Sequence, residues 1–262
     1  MFVGFNLETN KDYAAYYDIG KKLFEAHKES IEKDLDKFIG PEGVIDGSRI
    51  AQSWFPEINA DVFISHSHKD EKQAIGLAGW LWTKFQIVAF IDSGVWGYAG
   101  DLLRKIDDKY CWDEERSTYI YETRNYSTAH VHMMLNVALV RMIDKVECVI
   151  LFNTPNSINT KDVGNRTTSS WIYSEIVTTE LIRTKKLSEY RRKVHTIYME
   201  EKSINNQLQI DYDVQLTHLK PLSDSDLQLW ERSVPNPMVL QEVTVRNKVY
   251  HLDKLYKIKE IL

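Results

Sequence analysis

The sequence predicts an α/β protein in which a parallel sheet is covered by helices on both faces. Three short apolar, β-prone runs, "DVFISHS", "IVAFID" and "VECVILFNT", point to this fold. Each ends in small or polar residues, as strands buried on both faces do when they deliver a loop to a sheet edge. Each is followed by helically spaced apolar residues, and alternation of this kind builds parallel sheets. The 262 residues suffice to bury a proper core, and 43% hydrophobic with 27% charged residues is ordinary globular composition.

Residues 1–60 read as an N-terminal helical extension. Ala15, Ile19, Leu23, Ile31, Leu35 and Phe38 recur at roughly helical spacing among many charges, "GPEG" stops the pattern, and Pro56 punctuates the approach to the first strand. Between Lys69 and Phe85, Ala74, Leu77, Ala78, Leu81 and Phe85 form one apolar stripe, and "IVAFID" completes a βαβ unit. "SGVWGYAG" reads as a loop, because its three glycines and two aromatics fit neither period. "DLLRKIDDKYCW" then resumes helical spacing through Leu102, Leu103, Ile106 and Tyr110.

A polar connection from Asp113 to Ala129 leads into "HVHMMLNVALVRMI", apolar on most sides and read as a buried helix with satisfied histidines at His130 and His132. "WIYSEIVTTELIRTKK" is the third helix and "VHTIYME" a fourth strand. In residues 201–262, a C-terminal extension, a capped helix starts from Ser223 and an amphipathic one ends the chain. Neither flank carries a long disordered linker, so both are expected to form one compact unit with residues 61–200.

Composition excludes several functions. A net charge of −5 offers no basic field for nucleic acid, and no apolar run approaches the roughly 20 residues that span a bilayer. Partners are therefore expected to include neither nucleic acid nor membrane. Cys111 and Cys148 lie outside any paired-ligand spacing and read as buried thiols. "MFVGFNLETN" lacks the basic and apolar regions of a secretion signal, so the expected location is cytoplasmic. His66 and His68 form an H-x-H pair without H-E-x-x-H, so no metal site is expected, and no glycine-rich dinucleotide fingerprint or P-loop occurs.

The strand ends carry a family resemblance. "DVFISHSHKDE" resembles the first box of Toll/interleukin-1 receptor (TIR) domains. "FIDSGVWGYAGDLL" is similar to their second strand, BB loop and following helix, and "SSWIYSEI" resembles the stretch in which a serine and a tryptophan precede a glutamate by a few residues. The three occur in the family's order and cover residues 61–200, most like bacterial TIR-like proteins of Thoeris antiphage defence. The resemblance implies a TIR/flavodoxin-like sheet and an NAD glycohydrolase or ADP-ribosyl cyclase, with NAD as substrate rather than cofactor. It implies Glu175 as the catalytic residue and Ser65 and His66 as part of the loop lining the nucleotide site. It also implies self-association through the TIR domain, a downstream effector protein that senses the nucleotide product, and activation by a phage protein.

The residue types suit that chemistry. Nicotinamide leaves NAD as a neutral base and needs no general acid, unlike an ordinary glycoside's leaving oxygen. One carboxylate beside the oxocarbenium-like ribose then stabilises the developing charge. With a cap at Ser169 or Ser170, Trp171 and Glu175 share a helix face by their i,i+4 spacing, and the helix dipole favours an ionised carboxylate. Tyr173, Ile176, Val177 and Leu181 would form a separate core stripe, leaving Trp171 as an aromatic wall and Ser170, Trp96 and Tyr98 as further substrate contacts. From spacing alone, a glutamate near a helix start serves the dipole and solubility; the order of the motifs reverses that preference. Two other readings stand beside it: a noncatalytic TIR scaffold with Trp96 and Tyr98 in an interface, and a nucleoside deoxyribosyltransferase-like enzyme with its own catalytic glutamate.

Overall fold

The computed structural model describes residues 1–25, 35–39, 45–158, 165–190, 212–213, 216–234 and 247–262. In chain order these form β1 (Val3–Glu8), α1 (Tyr17–Glu25), α2 (Gly47–Trp54), β2 (Val62–Ser65), α3 (Glu71–Phe85), β3 (Ala89–Ile91) and α4 (Ser93–Tyr110). A short hairpin of β4 (Trp112–Asp113) and β5 (Thr118–Tyr119) follows, then α5 (Tyr121–Lys145), β6 (Cys148–Phe152), β7 (Arg166–Thr167) and α6 (Ser170–Leu181). The chain ends with β8 (Tyr212–Asp213), β9 (Lys220–Ser223), α7 (Asp224–Ser233) and α8 (Asn247–Ile258).

Five strands make one parallel sheet in the order β3-β2-β6-β1-β9. The α/β class with a TIR/flavodoxin-like parallel sheet is therefore what the chain adopts. β3, β2 and β6 reproduce the 2-1-3 part of a flavodoxin-like order, but the next position is held by β1 from the N-terminus. The expected fourth strand, "VHTIYME", lies outside the described residues.

Side chains alternate across the sheet as the pleat requires. Val3, Phe5 and Leu7 of β1, Val62 and Ile64 of β2, and Cys148, Ile150 and Phe152 of β6 join one core with α1, α3, α7 and α8. Phe63 and Val149 point to the other face, into a core with α2, α4 and α5. Leu151 meets Ile172 and Ile176 of α6 there.

The two flanks contribute helices as expected, and each also inserts a strand into the sheet. β1 sits between β6 and β9, so residues 1–60 contribute a strand to the sheet as well as helices. The physical reason is the alternation of Val3, Phe5 and Leu7 with Gly4, Asn6 and Glu8, which buries one face of a strand. At the other end, the Trp230 ring stacks on Phe85 with centroids 3.9 Å apart, and Tyr256 Oη donates to the buried Glu147 at 2.8 Å.

α1 docks on α3 through glycines. A Cβ on Gly79 would lie 2.2 Å from the Tyr16 carbonyl oxygen, and one on Gly20 would lie 1.9 Å from that of Ile75. Only glycine permits such close backbone approach.

Two local expectations are corrected. "SGVWGYAG" is not a loop: helix α4 begins at Ser93. Glycine costs about 1 kcal/mol per position in a helix relative to alanine, and burial of Tyr98, Ala99, Leu102 and Ile106 on one side offsets it. The polar connection is also shorter than expected, because α5 starts at Tyr121. His130 and His132 are exposed on that helix rather than buried. Cys111 and Cys148 are free and buried, as expected.

Gly79→Ala should lower stability by about 1–3 kcal/mol through overpacking against Tyr16, despite alanine's better helix propensity. Urea unfolding measures it, and an unchanged or raised midpoint would contradict the close approach. A fragment of residues 61–200, lacking β1 and β9, should fail to give a cooperative thermal transition by circular dichroism.

Candidate functional site

The strand order reverses between β2 and β6, since the chain leaves β2 towards β3 on one side and later returns to β6 on the other. Open α/β sheets bind ligands beyond the strand C-termini at such a point. Here the loops after β2 and β6 are tied together: Thr154 Oγ1 donates to Asp70, as does Asn156 Nδ2 at 2.7 Å.

Beside this tie lies a buried polar cluster. Ser65 ends β2, His66 follows it, Asp92 follows β3, Ser93 opens α4, and Glu175 comes from the second turn of α6. All five are at most 4% exposed. The N-cap of α6 is Ser169, whose Oγ accepts from the Ile172 amide at 3.3 Å. That cap sets the start of the helix and so the angular position of Glu175.

Nδ1 of His66 stands 2.7 Å from Oδ1 of Asp92. The contact is an ion pair when the imidazole is protonated. Among the described residues no well-aligned hydrogen bond satisfies either carboxylate oxygen of Glu175, His66 Nε2, Ser65 Oγ or Ser93 Oγ, although Ser65 and Asp92 lie close enough to act on the Glu175 carboxyl. Buried polar atoms are nearly always paired, so a concentration of unpaired ones at one place marks a site prepared for a polar ligand.

Electrostatics reinforce the contrast. Burial pushes the Glu175 carboxyl well above the usual glutamate range, and the neighbouring Asp92 charge pushes it further; the nearby Ser65 hydroxyl acts in the opposite direction. For His66, burial alone would lower the imidazole, but Asp92, with Glu71 and the Ile64 carbonyl, outweighs it and the net direction is upward. Asp92 thus favours an imidazolium on one side and a protonated carboxyl on the other.

The structure brings together Ser65, His66 and Glu175 of the expected site residues. It adds Asp92 and Ser93, and the signal for Asp92 was an acidic residue closing an apolar strand run in "IVAFID". Ser170 is exposed, one position beyond the cap, and stands apart from the cluster. Trp171 is half-buried against the core of the α5 face, with its ring centroid 5.8 Å from that of His132. Tyr98 is a core residue at 7% exposure rather than a cover over a ligand. The side chain of Trp96 lies outside what the structure describes.

The stripe assigned to α6 also needs correction. Its buried residues are Ile172, Glu175, Ile176 and Thr179, while Tyr173 and Leu181 are exposed. Glu175 therefore shares the core-facing side instead of a separate one, because α6 buries that side against Leu151, Leu216 and Leu219.

The fold and cluster together define an α/β protein with an imidazole–carboxylate–carboxyl group, His66, Asp92 and Glu175, buried at the ends of two adjacent parallel strands. No family model, curated protein or solved structure matches the chain. None of the described helices is long and apolar enough to cross a membrane.

Folding holds a proton on Glu175 that the unfolded chain releases once pH passes the ordinary glutamate range. Stability from this group is thus complete in acid and lost as pH rises through the raised folded value. His66 has the same sign: its contribution is complete below the ordinary imidazole range and lost above its raised value. Glu175→Gln should stabilise the protein by about 1–3 kcal/mol at pH 8, the cost of one poorly solvated buried polar group, and by much less at pH 4. Melting curves at the two pH values test this, and equal effects at both would remove the assigned electrostatics.

Proposed function

We propose that the protein is a TIR-type NAD glycohydrolase or ADP-ribosyl cyclase that breaks the bond between nicotinamide and ribose, with Glu175 as the catalytic carboxylate. The observation that carries this reading is Glu175 itself, buried with no well-aligned hydrogen bond among the described residues, beside Ser65 and Asp92 at the strand C-termini. A structural glutamate would be expected to have its oxygens satisfied.

The chemistry follows from charge. Burial and the neighbouring Asp92 favour the protonated form of Glu175. The positively charged nicotinamide ring of NAD brings the compensating charge, so Glu175 ionises on binding. As the glycosidic bond lengthens, positive charge moves onto the ribose, and a fixed carboxylate in a water-poor setting stabilises it more strongly than water does. The nicotinamide leaves neutral. Ser65, at the end of β2, and His66, just after it, would line the nucleotide site.

At 2% exposure Glu175 is closed off from substrate. Entry therefore requires a local opening around the cluster. Self-association through the TIR domain, set off by a phage protein, would supply the free energy for opening. On this reading the protein works in the cytoplasm, and its ADP-ribose-derived product signals to an effector protein in antiphage defence.

The closed position of Glu175 favours a second reading, a noncatalytic TIR scaffold acting by assembly alone. Nicotinamide release from NAD separates the two. Under the enzyme reading Glu175→Gln should lose at least about 100-fold in turnover, the scale of removing a main electrostatic contact to the transition state. Wild-type turnover should rise with pH through the raised value of Glu175. Unchanged turnover in Glu175→Gln would remove the catalytic assignment, and normal signalling without turnover would establish the scaffold.

A further inference from the structure

Helix α5 carries an exposed stripe on the side opposite its buried one. Glu122, Tyr126, His130, Met133, Val137 and Arg141 recur every three or four residues, and all six are exposed. The buried stripe of the same helix is Val131, Leu135, Leu139 and Met142. Tyr126 is 70% exposed, Met133 61% and Val137 41%, so one helix presents three large apolar side chains to water along roughly 17 Å. The Tyr126 ring is already held edge-on against His130, with centroids 4.5 Å apart. Single exposed apolar residues are normal on a protein surface, whereas a contiguous stripe bounded by charges marks an interaction surface.

The order of residues along the stripe names its occupant. Lay a second α5 against the first in the opposite direction, with the two-fold axis midway between Val131 and His132. Glu122 then meets Arg141 of the partner subunit, Tyr126 meets Val137 of the partner subunit, and His130 meets Met133 of the partner subunit. Each pair is equidistant from the axis, so every contact occurs twice, as an isologous interface requires. Opposite charges close both ends and apolar groups fill the middle. Exposed Ala129, near the axis, leaves room for the backbones to approach. A parallel arrangement would instead set Glu122 against Glu122 and Arg141 against Arg141. An unrelated partner would not require this palindromic order.

We propose that two copies of this protein associate through α5 in this antiparallel register. The interface is one helix pair and falls below the ~1,200 Å² of standard interfaces, so the dimer is weak, with a Kd in the micromolar range, about 1–100 µM. The surface is separate from the buried cluster around Glu175, and the proposal does not depend on NAD chemistry.

Sedimentation velocity of the full chain, from about 1 to about 200 µM, tests it. The wild type should pass from monomer to dimer. Met133→Glu and Val137→Glu should each weaken association at least tenfold, and Glu122→Arg and Arg141→Glu should each weaken it severalfold. The double variant Glu122→Arg/Arg141→Glu should restore the wild-type dimer, because the swapped charges meet only in the antiparallel register. All four sites are exposed, and circular dichroism melts verify that each variant is folded; Val137→Glu decides should Met133→Glu fail to fold. A wild type that stays monomeric throughout overturns the proposal. So does a dimer indifferent to Met133→Glu and Val137→Glu, or a double variant no better than its single parents.

Discussion

The pairing of β1 with two strands at once is the constraint on which the rest of the molecule depends. Val3 to Leu7 pair with Cys148 to Phe152 on one side, and Phe5 to Glu8 with Lys220 to Ser223 on the other. One N-terminal strand thereby joins the central βαβ elements to the C-terminal segment. Without it β6 would be an edge strand, with a row of backbone N–H and C=O groups unpaired. The same insertion brings α1 against α3, where glycine backbones replace side chains, and leaves α7 and α8 to close the core around Trp230 and Tyr256.

That rigid sheet makes the buried polar cluster possible. Its side chains come from segments that packed strands hold in place, so they cannot relax towards water. Burial and Asp92 together favour the protonated form of Glu175, and Asp92 draws the His66 imidazole towards its protonated form, which limits the cost of burying these side chains together. The arrangement is still incomplete in hydrogen bonding, and natural proteins accept such local instability chiefly where a ligand will relieve it.

Helix α5 links this region to the surface. One side is core, and another meets α6 near Glu175, where Ser174 Oγ donates to Asn136 Oδ1 at 2.8 Å and His132 touches Trp171. Its third side is the exposed stripe. A contact made at the stripe is therefore one helix away from α6, which carries Glu175.

By itself the sequence determined the elements whose burial is local and periodic. The strands at β2, β3 and β6, the stripe of α3, a cap at Ser169 or Ser170 and the Ser223 start of α7 were legible because apolar spacing and capping residues report which face is covered. Convergence of Ser65, His66 and Glu175 followed from their positions at strand ends and a helix start. Tertiary structure alone decided where β1 inserts, that residues 93–100 wind into a helix despite three glycines, and that Glu175 faces inward beside Asp92. Each of these depends on partners distant in the chain: a short alternating run does not say which strand it will pair with, and helical periodicity does not say which of two adjacent faces a neighbouring element will cover.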